Sequence, residues 1–386
     1  MASGAARVDP WTSAEHRLLR ETVRGLVQRE VVPHLADWER EGELPRSLTR
    51  RFGEAGLLGA GWPEEVGGSG GDLTHACAVT EEIILSGGSG GVCAGVLTHG
   101  IAIPHILAAG DPEQIERWVR PTLEGRLIGA LAVTEPDAGS DVAALRTRAV
   151  RDGDHFVVNG AKTFITSGAR ADFVTTAVRT RGDGHGGVSL LVIERGTPGF
   201  TVSRRLEKMG WWCSDTAELS FHDVRVPAAN LVGAEGTGFL QIMRNFQPER
   251  VGLAVQAYAT AQRCLDLALT WAHERQAFGR PLVARQVLRH KLTEMARQTD
   301  VAREYTRAII TRMLAGEDCV RQVSMAKNTA VMACHHVVNE AVQIHGGMGY
   351  LRESEVERHY RDSRILAIGG GTTEIMNEII ARTMGL

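Results

Sequence analysis

Hydrophobic periodicity changes twice along this chain, and that restricts the folds open to it. From about residue 12 to residue 123 the apolar residues keep a helical rhythm: Leu18, Leu19, Val23, Leu26, Val27 and Val31 recur three or four positions apart before Pro33, with similar stripes at 48–58 and 73–85. Between about 125 and 232 the texture becomes short β-branched runs separated by turn dipeptides. Asp152-Gly153 and Asn159-Gly160 bracket His155-Phe156-Val157-Val158 as a hairpin would, and 173–178, 188–193 and 219–226 extend the set. From about Gly238 helical spacing returns and persists: Val251, Ala254, Val255, Tyr258, Ala261, Leu265, Ala268, Leu269 and Ala272 share a face, and another long stretch covers 288–314. Helices of that length form bundles and often oligomers. The expected fold is α+β and multidomain: a helical domain at 1–124, a small β-barrel or sandwich at 125–235, and a helical bundle at 236–386.

Composition narrows the function. With 386 residues and 43% hydrophobic content the chain can bury substantial cores, while its formal net charge of -3 comes from dispersed acids and bases with no cationic stripe. Nucleic acid and anionic membrane surfaces are therefore poor partners. The glycine clusters Gly67-Gly68-Ser69-Gly70-Gly71 and Gly87-Gly88-Ser89-Gly90-Gly91 do not fit GxGxxG after a strand, and GxxxxGK is absent, so neither a Rossmann turn nor a P-loop is supported. They read more simply as loops that end helices.

Six separated cysteines without CxxC spacing suit buried thiols in a reducing compartment. In Cys334-His335-His336, neighbouring helical positions point apart, which argues against a metal. Met1 to Arg7 lacks the apolar core of a secretion signal, with Asp9, Pro10 and Trp11 following, and no apolar run approaches the ~18 residues of a membrane span. A soluble, cytoplasmic protein is expected.

Two motifs carry the chemistry. Leu131-Ala132-Val133-Thr134-Glu135-Pro136-Asp137-Ala138-Gly139-Ser140-Asp141 leads from a β-rich tract, and Gln343-Ile344-His345-Gly346-Gly347-Met348-Gly349-Tyr350 lies far downstream, followed by Glu353, Arg358 and Asp362. In that order they resemble the two signatures of the acyl-CoA dehydrogenase family. The resemblance runs from Trp62-Pro63-Glu64-Glu65 to the C-terminus. It implies an N-terminal helical domain, a middle β-barrel and a C-terminal four-helix bundle, one FAD per subunit at a subunit boundary, and a homotetramer built as a dimer of dimers.

Desaturating a thioester between Cα and Cβ needs a base for a weakly acidic α-proton, a hydride acceptor facing Cβ, and donors for charge developing on the thioester oxygen. In the family, the base is most often a glutamate directly before Gly-Thr in a C-terminal motif. Here that motif is Ile368-Gly369-Gly370-Gly371-Thr372-Thr373-Glu374-Ile375, so glycine stands at the base position. The alternative family position, at the start of the first long C-terminal helix, matches Phe246-Gln247-Pro248-Glu249-Arg250-Val251-Gly252-Leu253-Ala254. Glu249 is the expected base, because glutamate here is paired with glycine at the other position. Taken alone, a proline followed by glutamate is an ordinary helix opening favoured by the helix dipole.

Glu374 is the rival carboxylate, but a helix start after Thr372 and Thr373 suits capping or a cofactor contact better. The resemblance implies that Gly370 N–H donates to the thioester carbonyl. Arg250 either contacts the CoA chain or buttresses Glu249.

For the flavin, the resemblance implies that Leu131, Val133 and Thr134 meet the polar edge of the ring. It also implies that Phe164, Ile165 and Thr166 lie against the ring, and that Gly139 and Ser140 sit where ribityl or pantetheine groups pass. Arg275, Phe278 and Gln286 resemble the segment reaching the pyrophosphate and adenosine of the neighbouring subunit's FAD. Gln343, Ile344, Gly346 and Gly347 complete that half-site through backbone N–H groups. Asp215 and Glu218 read as strand and turn determinants, and Trp211 and Trp212 as barrel packing or interface residues.

The implied activity is α,β-dehydrogenation of a medium, long or branched acyl-CoA to the trans-2-enoyl-CoA, with electrons passing to an electron-transferring flavoprotein. Three alternatives stay open: an acyl-CoA oxidase, a dehydrogenase of acyl groups on a carrier protein, and an inactive flavin-binding assembly protein.

Overall fold

The computed structural model describes residues 11–386; Met1–Pro10, on which the reading of a missing leader rests, lie outside the described residues. Helix α1 (Ala14–Leu26) starts at Ser13, whose hydroxyl accepts the His16 N–H at 3.2 Å, and runs into a π-helical turn at Val27–Val31. It buries His16, Val23, Leu26, Val27 and Val31. Leu18, expected in this stripe, stays exposed, because five positions before Val23 it lies well round the helix from the buried face.

Helices α2 (Leu35–Glu41) and α3 (Arg46–Glu54) follow, then α4 (Leu73–Leu85), opened by a capping box between Asp72 and His75. The second glycine cluster opens a helix as well as ending one. In α5 (Gly90–Val96) the Ser89 hydroxyl caps the Val92 N–H at 3.3 Å. A Cβ on Gly90 would stand 2.6 Å from Trp211 Nε1, so close packing requires the glycine. Four short helices, α6 (His99–Ala102), α7 (Pro104–Ala109), α8 (Pro112–Gln114) and α9 (Arg120–Leu123), lead to the sheet.

The sheet has seven strands: β1 (Gly129–Ala132), β2 (Arg148–Asp152), β3 (His155–Thr166), β4 (Phe173–Arg179), β5 (Val188–Glu194), β6 (Phe200–Arg205) and β7 (Thr216–Pro227). Their order is β1-β4-β2-β3-β7-β6, with β5 also on β4. β2 and β3 form the expected hairpin through Gly153, but Asn159-Gly160 does not turn the chain. β3 continues antiparallel to β7 with a register shift there, and a Cβ on Gly160 would meet Thr147 Oγ1 at 2.5 Å. The dipeptide is a bulge, and it bends the strand instead of ending it.

The expected barrel takes the form of a sheet with an open ladder, in which β1, β5 and β6 each pair with a single strand. Even so, Ala130, Phe156, Val158, Val174, Leu191, Leu219 and Val224, drawn from five of the strands, meet in one core. The opposite face of β4 and β5, through Phe173, Ala177, Val188 and Leu190, packs beneath Ile103, Ile106 and Trp118.

Helix α10 (Gly238–Glu274) spans 37 residues. A two-strand hairpin, β8 (Gln276–Ala277) and β9 (Arg280–Pro281), joins it to α11 (Gln286–Leu314). Then come α12 (Val320–His345), α13 (Glu355–Ser363) and α14 (Thr373–Met384). Ile83 and Ile84 of α4 share a core with Val255, Tyr258, Ile309 and Val331, so the helices at the two ends of the chain are packed together. All six cysteines are buried and free. Among the described residues no single helix is long and apolar enough to cross a membrane; one bent pair, Gly90–Val96 with His99–Ala109, reaches that length and composition.

α10 crosses between two cores. Its first turns send Phe239, Ile242 and Phe246 against the sheet, and from Val251 onward it belongs to the helical core. The candidate carboxylate sits at the crossing.

Candidate active site

Pro248 and Glu249 lie inside α10, which begins at Gly238, and not in its first turn as the sequence suggested. The dipole explanation for Glu249 therefore fails, since that effect fades beyond the first turn. Pro248 instead interrupts the helical hydrogen-bond ladder one residue before the carboxylate.

Glu249 faces the triple-glycine loop. A Cβ built on Gly370 would stand 3.4 Å from Glu249 Oε1 and 3.8 Å from Lys327 Nζ. The two sequence positions at which the family places its base thus converge on one point in space. Gly370 itself has φ +63, a left-handed conformation that suits glycine, and an added Cβ would collide with Leu253 Cδ1 at 2.6 Å.

The carboxylate is half-buried and makes no hydrogen bond or ion pair among the described residues. Burial pushes its carboxyl up to about 7, with Arg250 and Lys327 pulling the other way. Both cations spend their donors elsewhere. Arg250 Nε donates to Gly370 O at 3.1 Å, while Lys327 Nζ donates to Gly369 O at 2.5 Å and to Gly371 O. Arg250, expected to contact the CoA chain or to buttress Glu249, is seen holding the loop that faces Glu249. Among the described residues, Gly370 N–H has no protein acceptor. A half-buried carboxylate with a perturbed affinity for protons, beside an unspent backbone donor, is the arrangement that proton abstraction next to a carbonyl requires.

Glu374 is exposed in the first turn of α14, behind the Thr372 cap that accepts the Ile375 N–H at 3.2 Å. That leaves Glu249 as the half-buried acid at the loop.

The first signature is braced from below by a residue the sequence reading missed. Lys162, fully buried on β3, donates to Val133 O at 3.0 Å and to Glu135 Oε1 at 2.8 Å. Glu135 in turn accepts the backbone N–H groups of Arg146 at 2.6 Å and Thr147 at 2.9 Å. The loop's outer residues stay free: Gly139 and Ser140 are exposed, and the Thr134 and Ser140 hydroxyls have no protein partner among the described residues. Phe164, at φ +58, holds its ring in solvent with 69% exposure. Ile165 turns its side chain into the sheet core, so only its backbone remains to meet a ligand.

The second half-site is assembled by stacking. Arg275 lies 6.0 Å over the Trp271 ring, and Trp271 stacks on His345 at 5.1 Å, which brings the end of α10 beside the end of α12. Arg275 is exposed and has no carboxylate partner among the described residues, and Phe278 and Gln286 are exposed nearby in sequence. The expected use of backbone N–H groups along 343–347 needs correction. Gln343 and Ile344 belong to α12, Gly346 N–H returns to Val342 O and Gln343 O, and the Ile344 side chain is in the core. What remains for a ligand is the exposed Gln343 amide and the open surface at Gly347. Unpaired guanidinium, free hydroxyls and an exposed aromatic suit a flavin dinucleotide.

Trp211 and Trp212 are not barrel packing. The Trp211 backbone N–H donates to Asp362 Oδ1 at 2.6 Å, and Trp212 lies 3.6 Å beneath the Arg361 guanidinium, so both tie the sheet domain to α13. Asp215 accepts the Ala169 N–H at 2.8 Å beside buried Arg170, and Glu218 pairs with Arg204 at 2.9 Å.

Fold and site together define a three-domain protein with a half-buried carboxylate facing a glycine loop. The acyl-CoA dehydrogenase N-terminal, middle and C-terminal domain families match residues 13–126, 130–224 and 236–385. The chain is 40% identical over 379 residues to the long-chain specific acyl-CoA dehydrogenase of Sus scrofa mitochondria, covering 96% of this chain and 86% of that one. Its fold matches a Mycobacterium abscessus protein described as a probable acyl-CoA dehydrogenase with TM-score 0.96 and 69% identity, covering 97% of this chain and 100% of that one. It also matches a Bacillus anthracis acyl-CoA dehydrogenase complexed with FAD with TM-score 0.89 and 31% identity, covering 97% of this chain and 67% of that one. The chain belongs to the acyl-CoA dehydrogenase family, FAD-binding oxidoreductases that act on the CH–CH bond of acyl-CoA.

Proposed function

We propose that this protein desaturates a medium, long or branched acyl-CoA, with Glu249 as the base. The observation that carries this reading is the convergence of Glu249 on the glycine at position 370, with 3.4 Å between the carboxylate and a Cβ placed there. Glu249 takes the α-proton as H⁺. The electron pair left on Cα becomes the Cα–Cβ double bond as Cβ loses its hydrogen with its bonding pair. Bound FAD supplies the acceptor for that hydride. Gly370 N–H donates to the thioester oxygen, and Arg250 holds the loop.

Leu131, Val133, Thr134, Phe164, Ile165, Thr166, Thr372 and Glu374 are the proposed flavin neighbours, with Gly139 and Ser140 along the ribityl or pantetheine path. Arg275, Phe278, Gln286, Gln343 and Gly347 serve a neighbouring subunit's cofactor in a homotetramer. Electrons leave to an electron-transferring flavoprotein, the location is cytoplasmic, and the domains divide at 124/125 and 235/236.

The test is anaerobic bleaching of the flavin by straight-chain and branched acyl-CoAs in the wild type and in Glu249→Gln. The variant should keep its FAD and lose reduction by about a thousandfold, within the ~10² to 10⁴ that general-base catalysis contributes. Normal bleaching in the variant would move the base elsewhere, and rapid reoxidation in air would make the protein an oxidase.

A further inference from the structure

Lys327 sits mid-helix in α12, 1% exposed, among Val323, Ala326, Ala330 and Val331 of the helical core. Its ammonium has no carboxylate within ion-pair distance among the described residues and is satisfied by the carbonyls of Gly369 and Gly371. With Arg250 on Gly370 O, three consecutive carbonyls of one glycine loop are gripped by two buried cations. Burying an ammonium is costly, and only such hydrogen bonds offset it.

The peptide unit is planar and trans, so its C=O and N–H point in opposite directions. Holding Gly369 O toward α12 therefore aims the Gly370 N–H away from α12, in a segment with no side chains to restrict it. The same ammonium faces Glu249. The charged groups acting on that carboxylate are Arg250 from its own helix and Lys327 from α12, and the glycine loop adds none.

We propose that Lys327 is a positioning residue that couples the two reacting ends of the site, orienting Gly370 N–H toward the thioester oxygen while keeping Glu249 ionised beside it. This rests on the proposed desaturation. Burial and Arg250 hold the Lys327 ammonium down to about 8, with Glu249 opposing, so its influence is lost within an accessible pH range.

The experiment uses the FAD-loaded enzyme with Lys327→Met, Lys327→Gln and Lys327→Arg. FAD content and thermal unfolding establish that each variant is folded. Two readouts follow: the carbonyl stretch of bound enoyl-CoA in infrared difference spectra, and the pH profile of anaerobic flavin reduction.

Lys327→Met should return the carbonyl stretch toward its value in water and slow reduction by about a hundredfold, the low end for one lost oxyanion donor. It should also shift the rising limb of the profile to higher pH. Lys327→Gln, which keeps donors without charge, should retain more of the carbonyl shift but not the wild-type limb. Lys327→Arg, permanently charged, should abolish the decline expected of the wild type above pH ~8. A folded Lys327→Met or Lys327→Gln with wild-type stretch and profile overturns the proposal, as does loss of fold in all three variants, which makes the residue merely structural. Failure of the base assignment is read separately, from bleaching in Glu249→Gln.

Discussion

At the scale of single residues, the site depends on a carboxylate placed among cations that do not pair with it. Glu249, the proposed base, can take a proton only when ionised, and burial has pushed its carboxyl up to about 7. The rate constant of reduction divided by the thioester dissociation constant should therefore rise with pH through neutrality and decline above pH ~8, where Lys327, held down to about 8, loses its proton. Stopped-flow measurement across pH ~5.5 to ~9 checks this, and a flat profile below pH ~7 would contradict it. The sequence showed the acid and its empty counterpart at Gly370. It did not show Lys327, because one lysine among alanines reads as a solvated helix position until its neighbours across the fold are known. The available signal was its place between Val323 and Val331, on the buried face of the helical repeat.

At the scale of elements, the first signature keeps its shape because β3 pins it. Lys162→Met would leave Glu135 buried against two backbone N–H groups without its cation, and removing one partner of a buried pair costs about 3 to 5 kcal/mol. Chemical denaturation should show that loss, with faster flavin release from the folded fraction. An unchanged midpoint would mean that the ion pair does not brace the loop.

Sheet and helix segments were legible because their signals are local, and β4, β5 and α11 fall where β-branched runs and helical spacing placed them. Boundaries and exceptions were not. Asn159-Gly160 carries a hairpin signal, yet β7 offers β3 a continuous partner and the glycine is absorbed as a bulge. Pro248 carries a helix-start signal, yet the apolar contacts of Phe239, Ile242 and Phe246 with the sheet core extend α10 ahead of it.

At the scale of the whole molecule, the exposed Arg275 and Phe278, on a short hairpin beyond α10, fit the proposed cofactor site between subunits. If the tetramer completes that site, FAD retention depends on protein concentration, because assembly and cofactor binding are linked. Diluting the holoenzyme should release FAD as the oligomer dissociates, followed by flavin fluorescence and light scattering together. Arg275→Ala should weaken FAD binding by about 10- to 100-fold, the equivalent of one lost charged hydrogen bond, without changing secondary structure. Full retention by a dissociated subunit would place the whole cofactor site within one chain.

The sequence by itself determined what depends on neighbours along the chain: the helix, sheet, helix order, the signature loops, and the presence of glutamate at 249 with glycine at 370. Tertiary structure decided what depends on residues far apart. Arg250 and Gly370, 120 positions apart, touch because α10 passes from the sheet core to the helical core at that point. The same packing brings Lys327 from α12 to the carbonyls of the loop. Local propensity cannot encode such meetings, since burial against distant elements sets both where a helix runs and how readily its carboxylate gives up a proton.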